Sequence, residues 1–203
     1  AWPEKMLLGY LEAFRSADGA YNHEHQGADY GTLYALFLAF EAYADLQRLP
    51  PAAQTALAAV VSRLRTRDGG YANQSGMEEG STPATASAVV LLRKTRPALA
   101  VTAAEWLMRQ QRKNGGIAAV PENPVADLLS TATALYALAM TSATVSAPML
   151  EHHYGFVDSL WTGNGGFCGH AADSVPDCEY TFYALLSLGC LHCLERNVPP
   201  RQR

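Results

Sequence analysis

Apolar positions along this chain fall into two alternating kinds of segment. In one kind the charges keep to one side, as in Ala103-Ala-Glu-Trp-Leu-Met-Arg-Gln-Gln-Arg112, and this spacing predicts an amphipathic helix with a wet face. In the other kind nearly every position is apolar, as in Thr32-Leu-Tyr-Ala-Leu-Phe-Leu-Ala-Phe40 and Thr181-Phe-Tyr-Ala-Leu-Leu-Ser-Leu188. A helix that is hydrophobic all round must be enclosed, so these are expected as inner helices buried on every face. Strand signals are weak, because alternating patterns never persist beyond a few residues.

A recurring turn separates the two kinds. Asp/Asn-Gly-Gly/Ala followed by an apolar residue occurs at Asp18–Tyr21, Asp68–Tyr71, Asn114–Ile117 and Asn164–Phe167, with first glycines 50, 46 and 50 residues apart. Glycine tolerates positive φ there, and Asp or Asn can cap the local backbone. A second pattern, Thr-x-(Tyr/Ser/Thr)-Ala-(Leu/Val), follows at Thr32, Thr85, Thr131 and Thr181, offset from the glycine by 13, 16, 16 and 16 residues. Each threonine is expected to serve a helix cap or first turn. Two linked motifs recurring in register define one tandem unit. The expected fold is all-α, one domain over 1–203, with repeats at roughly 3–47, 51–95, 99–142 and 147–196.

Composition narrows the function classes. The net charge of −4 and the lack of a basic stripe argue against a nucleic-acid footprint. All four cysteines, Cys168, Cys178, Cys190 and Cys193, lie near the C-terminal end, unlike a disulfide framework, so reduced thiols and a cytoplasmic setting are expected. No basic region followed by an apolar core opens the chain, so no signal peptide is expected, and the missing initiator Met suggests a piece of something longer. The uncharged stretch Leu128–Leu150 is long enough for a bilayer, but its Ser and Thr residues and Pro148 favour a buried helix and a turn, with no transmembrane segment.

Outer helix, Gly-Gly-aromatic loop, acidic residue, then Tyr-Thr-Phe and an apolar inner helix resembles the repeat of protein prenyltransferase β subunits and of squalene–hopene and related terpene cyclases. Gly165-Gly-Phe-Cys-Gly-His-Ala-Ala-Asp-Ser-Val-Pro-Asp-Cys-Glu-Tyr-Thr-Phe182 is the best-matched copy. The resemblance runs over essentially the whole chain and implies an α/α toroid, or an open arc of one, with inner helices lining an apolar cavity. Zinc-dependent members hold the metal with Asp-x-Cys before Tyr-Ser/Thr-Phe. Here Asp177 matches the Asp, Glu179 stands where Cys belongs, and Cys178 comes one place early. The resemblance thus implies Asp177, Glu179 and Cys178 as ligands of zinc or another divalent metal. It assigns Asp177 and Tyr180 to catalysis, and turns Tyr180 and His170 toward a polar or anionic substrate head. His170 and Asp173 replace the family's Arg and Lys, which depletes the cations a diphosphate leaving group requires. The cyclase acid motif Asp-x-Asp-Asp is absent. Complete toroids need about six helix pairs against the four here, so either the ring closes with fewer hairpins, a homo-oligomer or a second chain completes it, or a missing segment or partner covers the ends.

Several residues carry a second reading. Asp127 and Asp177 also suit plain helix caps. Tyr34, Tyr136, Phe182 and Tyr183 fall on inner helices, either as core or as the lining of an isoprenoid pocket in which Tyr34, Tyr136 and Tyr183 bind substrate. His23-Glu24-His25 with Asp29 suits a metal or a solvated loop. Glu78-Glu79 suits a cavity mouth or a solvated loop, His152-His153 a polar surface pair, and Cys190 and Cys193 buried structural thiols. The leading expectation is an isoprenoid-handling enzyme or enzyme-like domain with an apolar small molecule as partner. A non-catalytic scaffold that lost the chemistry is the alternative, and a carbohydrate-active enzyme using Asp29, Asp127 and Glu78 ranks last.

Overall fold

A computed structural model describes residues 4–48, 53–141, 143–163 and 165–196, with the side chains of 53–56 excepted. Wet-faced and apolar segments alternate as helices in the expected order. The outer helices are α1 (Glu4–Ala13), α3 (Ala53–Arg63), α5 (Pro97–Arg109) and α7 (Ala147–Ser159). The inner ones are α2 (Leu33–Asp45), α4 (Thr82–Leu92), α6 (Leu128–Met140) and α8 (Cys178–Glu195). Pro83, Pro97 and Pro148 sit in the first turn of α4, α5 and α7, where a missing N–H costs nothing. The uncharged stretch from Leu128 thus divides into α6, a connection and the start of α7. No described helix is long and apolar enough to cross a membrane.

Each glycine motif closes one small hairpin. The first glycines have φ of +83°, +90°, +87° and +99° at Gly19, Gly69, Gly115 and Gly165, a region closed to most side chains. Asp18 Oδ1 accepts the Ala20 N–H at 3.1 Å, Asp68 Oδ1 that of Gly70 at 3.1 Å, and Asn114 Oδ1 that of Gly116 at 3.2 Å. Asn164 lies outside the described residues. The same loop then pairs across the outer-helix end at Arg15–Tyr21, Arg65–Tyr71, Gln111–Ile117 and Trp161–Phe167. In repeat three the pairing extends into a short antiparallel ladder of β1 (Ile117–Ala118) and β2 (Ala126–Asp127). That ladder is too brief to leave an alternating signal.

The motif threonines occupy two different positions. Thr32 is itself the N-cap of α2 and accepts the Ala35 N–H at 3.2 Å. Thr131 and Thr181 lie one turn inside helices capped by Asp127 and Asp177, whose carboxylates accept the Ser130 and Tyr180 N–H groups at 2.7 Å. The shorter offset of 13 in repeat one therefore reflects a different helical position.

By internal contacts the chain divides into two compact units, Ala1–Gly80 and Ser81–Arg203. In the first, Asp18 pairs with Arg63 at 2.8 Å, and Glu12 accepts hydroxyl bonds from Tyr21 and Tyr43 at 2.7 and 2.6 Å. In the second, α6 packs against α4, α5 and α8, and α7 against α8. The core there includes Trp106, Leu107, Ile117, Leu128, Leu135, Leu138 and Phe156, all nearly or fully buried.

Full enclosure of the inner helices holds for α4, where only Pro83 is partly exposed. It fails for α8, whose Phe182 and Leu185 are 59% and 62% exposed, and for α2, which exposes Tyr34 and Leu38. An apolar helix is enclosed only where neighbours exist on every side, which its own residues do not dictate.

Candidate functional site

The best-matched loop, in repeat four, builds a partly polar cleft. Phe167 bridges back to Trp161 on one side and to Asp177 on the other, so one aromatic residue ties the turn to the start of α8. Thr181 Oγ1 accepts the Phe167 N–H at 3.2 Å and donates to Asp177 O at 2.6 Å. A cavity of about 280 Å³ opens beside the turn, lined by residues that include Trp161, Cys168, His170, Asp173 and Ser174. His170 Nδ1 accepts the Ala172 N–H at 3.2 Å, and Asp173 Oδ1 accepts that of Val175 at 3.1 Å.

Carboxylates dominate the electrostatics. The Val175 N–H bond holds the Asp173 carboxyl below its ordinary range. Burial pushes the Cys168 thiol up, and the charges of Asp173 and Asp177 push it further. Burial likewise raises the Tyr180 hydroxyl, reinforced by Glu179, Asp177, Asp127 and Asp173. From Asn114 through Glu195 the sequence contains no Lys or Arg. This rim therefore carries carboxylates and no Lys or Arg.

The expected metal ligands follow one another at a helix start. Asp177 Oδ1 caps α8, while Cys178 and Glu179 are exposed on the first turn. Cys178 and Glu179, successive helical residues, diverge by about 100° around the axis, while Asp177 precedes them in extended backbone with its carboxylate on the Tyr180 N–H. Among the described residues no three of His, Cys, Asp and Glu lie close enough together to hold a metal ion. The donors as arranged do not fit zinc. Tyr180 is half-buried, its ring so near Gly169 that a Cβ there would overlap it.

The tyrosines expected to face substrate have a clearer placement. The partly exposed positions of α6 are Leu129, Thr133, Tyr136 and Ala139, with Met140 exposed, and this spacing traces a single stripe on an otherwise buried helix. Tyr183 and Leu186 of the adjacent α8 are also half-buried. Tyr34, in the first unit, is 41% exposed and stacks edge-on with His23, ring centroids 6.0 Å apart.

Other candidates sort by burial. His23, Glu24, His25 and Asp29 are exposed, with His–Glu separations of 3.9 Å, and Glu78 and Glu79 are exposed too. The surface-pair reading of His152-His153 holds for His152 alone. His153 is fully buried, its Nδ1 2.6 Å from Gly115 O, because α7 turns it toward the glycine loop. Cys190 is buried with its thiol pushed up to about 11, first by burial, whereas Cys193 is exposed. Trp161, which lines the cleft, lies outside the motifs of the repeat. Its signal was readable, since an aromatic stands where the other repeats carry Arg15, Arg65 and Gln111. It is 47% exposed and tilts onto Phe167, centroids 5.0 Å apart.

Comparison with known proteins gives a consistent picture. The family described as the prenyltransferase alpha-alpha toroid domain matches residues 2–97 and again 84–199. Among solved structures, the chain is similar to ent-copalyl diphosphate synthase from Streptomyces platensis, at 18% identity and TM-score 0.68, over 98% of this chain and 36% of that one. It is also similar to Candida albicans protein geranylgeranyltransferase-I complexed with GGPP, at 16% identity and TM-score 0.69, over 93% of this chain and 60% of that one. A type II terpene cyclase from Scytonema matches at 16% identity and TM-score 0.63, over 95% of this chain and 59% of that one. The chain thus spans less than two thirds of the length of each of these structures. No curated protein matches it in sequence.

Proposed function

This chain belongs to the prenyltransferase α/α-toroid domain family, and on that premise we propose that it accommodates the hydrocarbon of an isoprenoid with an uncharged head. The observation that carries this reading is the partly open, largely apolar stripe of α6, Leu129–Thr133–Tyr136–Met140, on a helix that packs against α8. Such a stripe offers a long hydrocarbon contact area, and each methylene it removes from water contributes about 0.8 kcal/mol. Tyrosine suits this role, pairing a large apolar ring with a hydroxyl for a polar head.

The uncharged head follows from the charge pattern. A diphosphate needs fixed cations, and α6, α7, α8 and the connections between them contain none. His170 can donate one hydrogen bond to an alcohol or carbonyl, but it stands among Asp173, Asp177 and Glu179. Zinc has no part in this activity, since Asp177, Cys178 and Glu179 do not fit it.

The test is a titration of the protein with geranylgeraniol and with geranylgeranyl diphosphate, followed by intrinsic fluorescence and native mass spectrometry. The alcohol is expected to bind, and the diphosphate at least about tenfold more weakly. Tyr136→Ala and Tyr183→Ala should each weaken the alcohol about tenfold. Retention of neither compound, or tighter binding of the diphosphate, overturns the reading.

A second reading, a repeat scaffold without catalysis, is favoured by the use of Asp177 as a helix cap. It requires that zinc-supplemented protein form no product from prenyl diphosphates and acceptor thiols, and product formation would exclude it.

A further inference from the structure

The repeat itself shows what its outer–inner groove receives. In repeat four, Phe156 and Val157 of α7 and Leu160, its C-cap, cluster with Ala184 of α8, and Ala126 of β2 and Leu128, the first residue of α6, pack into them. Phe167, Tyr180 and Tyr183 lie against the same cluster. Counted from the first glycine, Tyr10, Leu11, Phe14 and Tyr21 of repeat one stand where Phe156, Val157, Leu160 and Phe167 stand in repeat four. Counted from the N-cap, Ala35, Leu38 and Ala39 stand where Tyr180, Tyr183 and Ala184 do. All of these repeat-one residues line a single apolar cavity of about 230 Å³, with His23 at its edge. Ala35 in place of the bulky Tyr180 widens it.

A backbone bond accompanies each filled junction. The first residue of an inner helix donates its N–H to the next glycine loop: Leu33 to Asn73 O at 2.9 Å, Thr82 to Ala119 O at 2.8 Å, Leu128 to Gly169 O at 2.8 Å. The acceptor always lies two residues past the apolar member of the motif, which in repeat one is His23. The matching donor in the last repeat is Cys178, which is exposed. Further along that helix, Phe182 and Leu185 are 59% and 62% exposed, whereas their counterparts in α6, Ala132 and Leu135, are fully buried. The first repeat therefore presents the receiving half of a junction, and the last presents the inserting half.

We propose that a second copy of this chain docks head to tail. Pro176 and Cys178 of one copy enter the Tyr10–Phe14–Leu38 groove of the next, the Cys178 N–H bonds the His23 carbonyl, and Phe182 and Leu185 are covered. A second copy is the occupant because it supplies both halves in the register already used at three junctions within the chain. The contact is heterologous, so each protomer uses two different surfaces. It does not depend on the isoprenoid reading.

Sedimentation velocity across the micromolar range, with native mass spectrometry, tests this. The wild type should self-associate, and Leu38→Glu on the head or Leu185→Glu on the tail should weaken association by about a hundredfold or more. Both positions are exposed, and unchanged circular dichroism melts confirm that the variants fold. Mixed one to one, the two variants should form a heterodimer, because each keeps one intact surface. A wild type that stays monomeric, a variant that still self-associates, or a mixture that stays monomeric overturns the proposal. A monomer retaining a small apolar molecule in the groove overturns it as well.

Discussion

The Ile117 backbone N–H donates to the Thr131 hydroxyl at 2.9 Å, and that hydroxyl donates to the Asp127 carbonyl at 2.8 Å. One side chain thereby fastens the glycine loop of repeat three to the first turn of α6. Both Ile117 and Thr131 are fully buried, so the N–H has no access to water. Thr131→Val keeps the shape and removes the acceptor, and should destabilise by about 1–3 kcal/mol. Thr131→Ser should recover most of that loss. Denaturant midpoints at unchanged slope provide the measurement. Thr181→Val should cost less, since Thr181 is half-exposed.

Asp177 separates a cap from a metal ligand. Asp177→Ala should cost about 1 kcal/mol of stability, while Asp177→Asn should retain most of it, because an amide oxygen also accepts the Tyr180 N–H. Thermal melts with and without a chelator should coincide for the wild type. A chelator-induced drop abolished by Asp177→Asn would instead make Asp177 a ligand.

His153 predicts an acid limb in the stability profile. Burial lowers its pKa, against the bond to Gly115 O, and its Nε2 is buried without a partner among the described residues. The folded protein therefore holds the neutral ring after the unfolded chain has begun to take up protons. Stability should be full above the unfolded histidine value of about 6.5 and fall as pH drops through it. His153→Gln cannot titrate, so its melting temperature should vary less between pH 8 and pH 5.

Gly115 and Gly163 make a matched pair. Both have positive φ, +87° and +75°, but a Cβ on Gly115 would overlap the His152 carbonyl, whereas one on Gly163 meets nothing. Gly163→Ala should cost about 1–2 kcal/mol from backbone strain alone. Gly115→Ala should cost clearly more, because the backbone of α7 at His152 must move. Equal midpoints for the two variants would contradict this packing.

Much of the fold was legible because its signals are short-range. The Asp/Asn-Gly turns, the Asp127 and Asp177 caps and the prolines at helix starts each involve neighbours within a turn or two. The site was less legible. Asp177, Cys178 and Glu179 read as a ligand string in the linear sequence, yet Asp177 caps the helix from extended backbone and helical geometry turns Cys178 and Glu179 apart around the axis. His152 and His153 look alike in sequence, and only the facing of α7 sends one into the core and the other to solvent.

The amino-acid sequence alone determined the repeat, its two classes of helix and its depleted cations, because glycine φ, side-chain capping and charge are properties of local residues. Tertiary structure alone decided which apolar positions are covered. Leu135 and Leu185 occupy the same place in the repeat, yet one is fully buried and the other 62% exposed. The difference is the next repeat packed against α6, some 50 residues further along the chain, a neighbour that no local pattern encodes.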